Sequence, residues 1–140
     1  VDLGDWYMLF ERRRAAEEQY RLAYEMLVAL EDGAERIQDL FGRVVPLPAF
    51  AGAVGEIALQ PAWQDSDPDS TQTGYADVSV DVNAYGQVSG VRVISEENDE
   101  NARIMTILRR KVRETTFRPV MEDGELVRTQ DSRFRYRYRY

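Results

Sequence analysis

Hydrophobic and polar positions change their period twice along this chain. Over residues 3–30 they follow helical spacing: Tyr20, Ala23, Tyr24, Leu27 and Leu30 form one apolar stripe, and 12–30 contains no Gly or Pro. Asp32 and Gly33 interrupt that pattern. Ile37, Leu40 and Phe41 then predict a short third helix over 34–41, stopped by Gly42. Residues 44–59 are apolar without a period. Pro46 and Pro48 favour an extended path there, and Gly52 and Gly55 loosen the end of the stretch. Residues 60–73, rich in Pro, Asp, Ser and Thr, read as a linker with Trp63 as its candidate anchor.

In the second half the period becomes two. Ala76, Val78, Val80 and Val82 fall on one face of a strand over 75–82, with Asp77, Ser79 and Asp81 on the other. Asn83, Ala84, Tyr85 and Gly86 are turn chemistry, with Gly86 able to supply a positive φ. A second strand comes next over 87–95, with Val91 and Val93 inward, which completes a hairpin. Acids at 96–100 open a helix that runs to 115, with Asn98 or Asp99 as its N-cap. Ile104, Ile107, Leu108 and Val112 form its apolar stripe. Arg109, Arg110, Lys111 and Arg113 form a solvated basic end. Phe117, Arg118 and Pro119 end the helical region, Glu122, Asp123 and Gly124 turn the chain, and 125–140 is the last strand. That strand ends in strict alternation: Phe134, Tyr136, Tyr138 and Tyr140 on one face, Arg133, Arg135, Arg137 and Arg139 on the other. The helix must cover the apolar face of the sheet. Placing the third strand beside the first gives an antiparallel sheet in the order 2-1-3, with the third strand at an edge.

Two stretches resemble known families. Leu3, Gly4, Tyr7, Ala16, Tyr20 and Ala23 stand at the spacings of one tetratricopeptide (TPR) repeat, where small residues let two antiparallel helices approach. Glu11 replaces the turn glycine of that motif and Val28 its closing proline. An ordinary amphipathic helical hairpin is the alternative. One repeat cannot bury its own faces, so it needs further repeats upstream or another surface to pack on.

The run from Gly74 to Gly86, then Val88, Val91, Arg92, Val93 and Ser95, resembles the C-terminal domain of TonB energy transducers. So do Phe117 and Pro119 after the helix and the turn before the last strand. Together the patterns predict an α+β protein: a TPR-like helical hairpin over 1–43, a connector over 44–73, and a ββαβ TonB-like domain over 74–140. That domain would have a three-stranded antiparallel sheet packed on one helix.

The resemblance implies a periplasmic, non-enzymatic interaction module. It would bind extended, TonB-box-like protein segments by β-augmentation at its last strand and couple to outer-membrane transport. The partner-binding positions would be Leu126, Arg128, Arg133, Arg135, Arg137 and Arg139. A transducer carries a membrane anchor and a Pro-rich spacer, whereas a helical repeat stands here. An envelope scaffold without transducer activity is therefore the alternative.

Composition narrows the chemistry. The 140 residues include no Cys and no His, which removes thiolates, disulfides and the usual near-neutral general base and metal ligand. No cofactor, metal or catalytic residue is expected. Asp77 and Asp81 could form a carboxylate pair, but an exposed polar face is the plainer reading. Asp65, Asp67 and Asp69 imitate the start of a calcium loop without its glycine or its bidentate Glu, and read as an acidic linker.

Net charge is −7; residues 1–70 hold 14 acids and 6 bases, and 71–140 hold 11 and 12. The alternating Arg and aromatic residues suggest single-stranded nucleic acid as a lesser alternative. Strand alternation and the acidic balance argue against it, so no nucleic acid is expected. No apolar run reaches the roughly 18–20 residues of a membrane span, so membrane contact would come through a partner or an anchor before Val1. A homodimer through the free edge is a further option.

Overall fold

A computed structural model describes residues 1–47, 56–58, 73–96 and 102–139. The fold is α+β, as expected. Its helical part is α1 (Asp2–Leu9), α2 (Arg13–Val28) and α3 (Gly33–Phe41). Where a single helical run over 3–30 was expected to break at an uncertain point, it breaks around Glu11, whose φ is 59°. That is the position at which the repeat motif places glycine, and the left-handed conformation is the reason glycine suits it. The small-against-large pattern is realised in space. A Cβ on Gly4 would sit 2.6 Å from the Tyr20 ring. Ala16, Tyr20 and Phe41 are fully buried, and the Tyr20 and Phe41 rings meet edge-on at 5.8 Å. Tyr7 and Ala23 are half-buried at the rim of this cluster, and Leu3 is exposed. Leu30 departs from the expected stripe: it lies beyond the end of α2 and is exposed.

The connector does not stand apart from the sheet domain. β1 (Val45–Pro46) pairs antiparallel with β5 (Phe117–Arg118), and β2 (Glu56–Ala58) pairs with the last strand. Trp63, the Asp65–Asp69 pattern and the N-cap at Asn98 or Asp99 lie outside the described residues.

The main sheet holds β3 (Thr73–Val82), β4 (Val88–Glu96) and β8 (Thr129–Arg139). β8 lies beside β3 and antiparallel to it, so these strands take the expected order. β2 then adds a fourth strand outside β8, and the sheet reads β2-β8-β3-β4. Asn83 builds the hairpin turn by accepting hydrogen bonds at its Oδ1 from the Tyr85 and Gln87 N–H groups (2.9 and 3.0 Å). Gly86 takes φ 76° there. α4 (Ala102–Glu114) covers the inner face with Met105, Leu108 and Val112 buried against Ala76, Val78, Val80 and Val82. Leu108 and Val112 are buried as the stripe predicts, Met105 joins them, and Ile107 is half-buried.

The last segment also differs from expectation. It is not one strand over 125–140. β6 (Val120–Glu122) and β7 (Glu125–Val127) form their own hairpin through Asp123 and Gly124, at φ 51° and 82°, the double left-handed pattern of a type I′ turn. β8 starts afterwards. This β5–β7 arm supplies Met121 and Leu126 to the helical cluster of Met8, Ala16, Tyr20, Phe41 and Leu47. The helical pair therefore buries its apolar face on the sheet domain's own arm.

Candidate functional site

The neighbours of β8 change along its length. On one side β3 accompanies it from Thr129 to Arg139. On the other, β2 pairs in parallel with Arg137, Tyr138 and Arg139 alone. Among the described residues no strand pairs residues 129–136 on that side. The expected edge is thus interrupted: Arg137 and Arg139 lie between two strands and are no edge.

A bulge closes the other end of the window. Val80 pairs with Ser132 and Val82 with Thr129, so Gln130 and Asp131 stand opposite the one residue Asp81. Asp131 takes φ 55°. Its N–H donates to Asp81 Oδ1 at 2.9 Å, and the Ser79 hydroxyl donates to Asp131 Oδ1 at 2.6 Å. Between bulge and β2, residues 132–136 keep unbroken register with β3.

An open cleft of about 410 Å³ runs along this window, between residues 43–46 and Ser132, Arg133 and Phe134. Successive strand residues point to opposite faces, so three in a row along one cleft mark the strand's margin and not one of its faces. Val44 is buried and Phe134 half-buried, while Arg43 and Arg133 are exposed. The cleft therefore has apolar walls with guanidinium groups at its rim.

The cleft wall is held in place from a distance. β1 is fixed by its pairing with β5 and by the Leu47 N–H, which donates to the Thr116 carbonyl at 2.9 Å. Arg118 of β5 is fixed in turn by the helices. Its Nη2 and Nε donate to the two Asp5 oxygens at 2.6 and 2.8 Å, and its Nη1 to the Leu40 carbonyl at 3.1 Å. The Tyr20 hydroxyl adds a third bond to Asp5 at 2.8 Å. Burial would lower the Arg118 pKa, but the hydrogen bond and charge of Asp5 reverse this and raise it. Burial, reinforced by the Asp5 charge, pushes the Tyr20 phenol far up, so it stays a neutral donor.

The outer face of the sheet is a set of ion pairs. Arg92 spans both Asp81 oxygens at 3.0 and 2.9 Å and donates to Ser79 Oγ at 3.0 Å. Arg135 spans Asp77 at 2.9 and 3.3 Å. The two carboxylates considered as an acid–base pair are each bound to their own arginine. The bond from Arg92, and then that from the Asp131 N–H, hold the Asp81 carboxyl below its usual range. The Ser79 hydroxyl and Arg133 do the same for Asp131. Phe134 packs on Phe117 at 5.6 Å, and Tyr136 is buried. Burial pushes the Tyr136 phenol up to about 12, and its hydroxyl has no hydrogen-bond partner among the described residues. Both rings face inward, away from the arginines that would hold phosphates.

Of the remaining expected partner-binding residues, only Arg133 lines the cleft. Leu126 lies in β7 opposite Met121 and packs on the helices, and Arg128 is exposed between β7 and β8. Sequence reasoning missed residues 43–46 as a wall. The signal that could have found them was Pro46, which favours an extended conformation at Val45 before it. Among the described residues no cluster of acids is placed to hold a metal, and no helix is long and apolar enough to cross a membrane. Compared with models of protein families, curated proteins and solved structures, the chain matches none.

Proposed function

We propose that this protein is a non-enzymatic interaction module that takes up an extended segment of a partner protein along β8, by β-augmentation. One observation carries the reading: Ser132, Arg133 and Phe134, in regular register with β3, open on the cleft walled by residues 43–46, and no strand among the described residues covers them there. A segment laid there gains main-chain hydrogen bonds from β8. Its side chains alternate between the two faces of the sheet, and those on the inner face meet the apolar side where Val44 and Phe134 lie. The opposite margin, on β4, suits this less. It carries bulges at Ser89 and Ile94, where the register with β3 shifts twice, and bulges are a common way of blunting an edge.

The finer form of the reading is a TonB-like module of the periplasm, coupled to outer-membrane transport. It is supported by the sequence resemblance over 74–140 and by the ββαβ order of β3, β4, α4 and β8, with β8 next to β3.

The test is selection of 12-residue peptides from a display library on the intact chain, then NMR mapping of the binders. Shifts centred on the amides of 132–136 and on Val44 and Val45 are expected. Binders that map to β4 or to the helices instead would sink the reading.

A further inference from the structure

We infer that the segment taken up by the cleft carries an acidic residue between two apolar ones, and that Arg43 and Arg133 select the acid. This rests on the reading of the β8 margin as a strand-accepting site. The residues lining the cleft include these two arginines and no acid. Both arginines are exposed. The Arg43 side chain has no ion pair among the described residues. Arg133 has one, a single contact of 3.4 Å with Asp131, between side chains that are 67% and 56% exposed. Ion pairs of that kind contribute little, so Arg133 can turn to another carboxylate at small cost. Arg92 differs: it spans both Asp81 oxygens and is committed within the sheet.

Register fixes where the acid must stand. Arg133 is opposite Ser79 and Phe134 is opposite Val78. Val78 belongs to the core, and Ser79 bonds to Asp131 and Arg92 of the outer face. Arg133 is therefore on the outer face and Phe134 on the inner one. A partner residue directly opposite Arg133 shares the outer face with it. Its two neighbours turn inward, to the apolar side where Phe134 and Val44 lie. Opposite charges that face each other across two strands attract, and like charges there repel. Arg43 lines the same cleft of about 410 Å³ and adds a second cation. A carboxylate opposite Arg133 is thus favoured and an ammonium group is rejected. The chain as a whole carries −7, so the preference is a local one. Local charge decides at separations below a screening length of roughly 8 Å at physiological salt.

The experiment titrates three synthetic peptides into the full chain and follows the amides of 132–134, Val44 and Val45 by NMR. The peptides share a valine–X–valine centre between serine and threonine residues, with glutamate, glutamine or lysine at X. The glutamate peptide should reach half-saturation at a concentration about threefold or more below that of the glutamine peptide, and the lysine peptide should bind most weakly. In the Arg43→Gln, Arg133→Gln variant the three should converge. The dispersion of its amide spectrum verifies that this variant is folded. A second measurement needs no variant: raising NaCl from about 20 to about 300 mM should shrink the preference for glutamate in the unaltered chain. Equal binding of the glutamate and glutamine peptides at 132–134 would overturn the inference and leave the strand-accepting margin standing. A preference that survives both the variant and the salt would equally overturn it, since these arginines would not be its source. Shifts away from 132–134 with all three peptides would reject the margin itself, and the inference with it.

Discussion

Asp5 and Arg118 are 113 residues apart in the chain and meet in a nearly closed site, with side-chain exposures of 10% and 6%. A buried carboxylate that loses its guanidinium is left charged and unsolvated. Arg118→Met should therefore cost about 3–5 kcal/mol of stability in urea unfolding, and the double change Asp5→Leu with Arg118→Met should cost less than the single one. Equal losses would show that the ion pair is not the source of the effect. Glu11 offers the opposite case. Its φ of 59° strains any residue with a Cβ, so Glu11→Gly should raise stability by up to about 1 kcal/mol in the same assay. A glycine at this position is what the tetratricopeptide resemblance of Gly4, Tyr7 and Ala16 implies. The ion pair was not legible in the sequence, because Asp5 and Arg118 each look like a solvated charge until the fold brings them together.

Among the elements, those with a clean period were legible. The β3–β4 hairpin and the inner face of β8 come from alternation, and α4 from its stripe of Leu108 and Val112, to which the structure adds Met105. Of the β5–β7 arm only the turn at Asp123 and Gly124 was legible. Its strands are two or three residues long, and Pro119 breaks any period between them. The hairpin tip and this arm depend on one another. A Cβ on Gly86 would lie 2.1 Å from the Phe117 carbonyl oxygen, whose own N–H donates to the Gly86 carbonyl at 2.9 Å. With φ at 76° added, Gly86→Ala should destabilise by about 2–4 kcal/mol in urea unfolding, more than an alanine at exposed Ser89. The outer face of the sheet sets a pH dependence. Asp81 and Asp131 have folded pKa values below their ordinary 3.8. Their contribution is complete above that value and is lost as pH falls through the depressed values. The urea midpoint should hold from pH 7 to about 5 and fall below about 4, and Asp81→Asn should flatten the fall. A midpoint that rises on acidification would contradict this network.

At the scale of the whole molecule, the helical pair and the sheet's arm share an interior, which is the other surface a single repeat needs to pack on. Met121 and Leu126 of the arm complete the helical cluster, and Asp5 holds Arg118, which holds β5, which aligns β1 as the cleft wall. The helices thus buttress the cleft wall beside β8, a role that neither the helical spacing nor the strand alternation could announce, since both are local patterns. β2 was illegible for the same reason: a three-residue parallel pairing leaves no signature in its own sequence. The central claim is that β8 offers its backbone, and not only its side chains, to a partner. Amide hydrogen exchange reads this most directly. Free chain and peptide-bound chain should differ at those N–H groups of 132–134 that point away from β3, whose exchange slows by about tenfold or more on binding. Binding that leaves these amides unprotected, whatever side-chain shifts accompany it, would contradict the account.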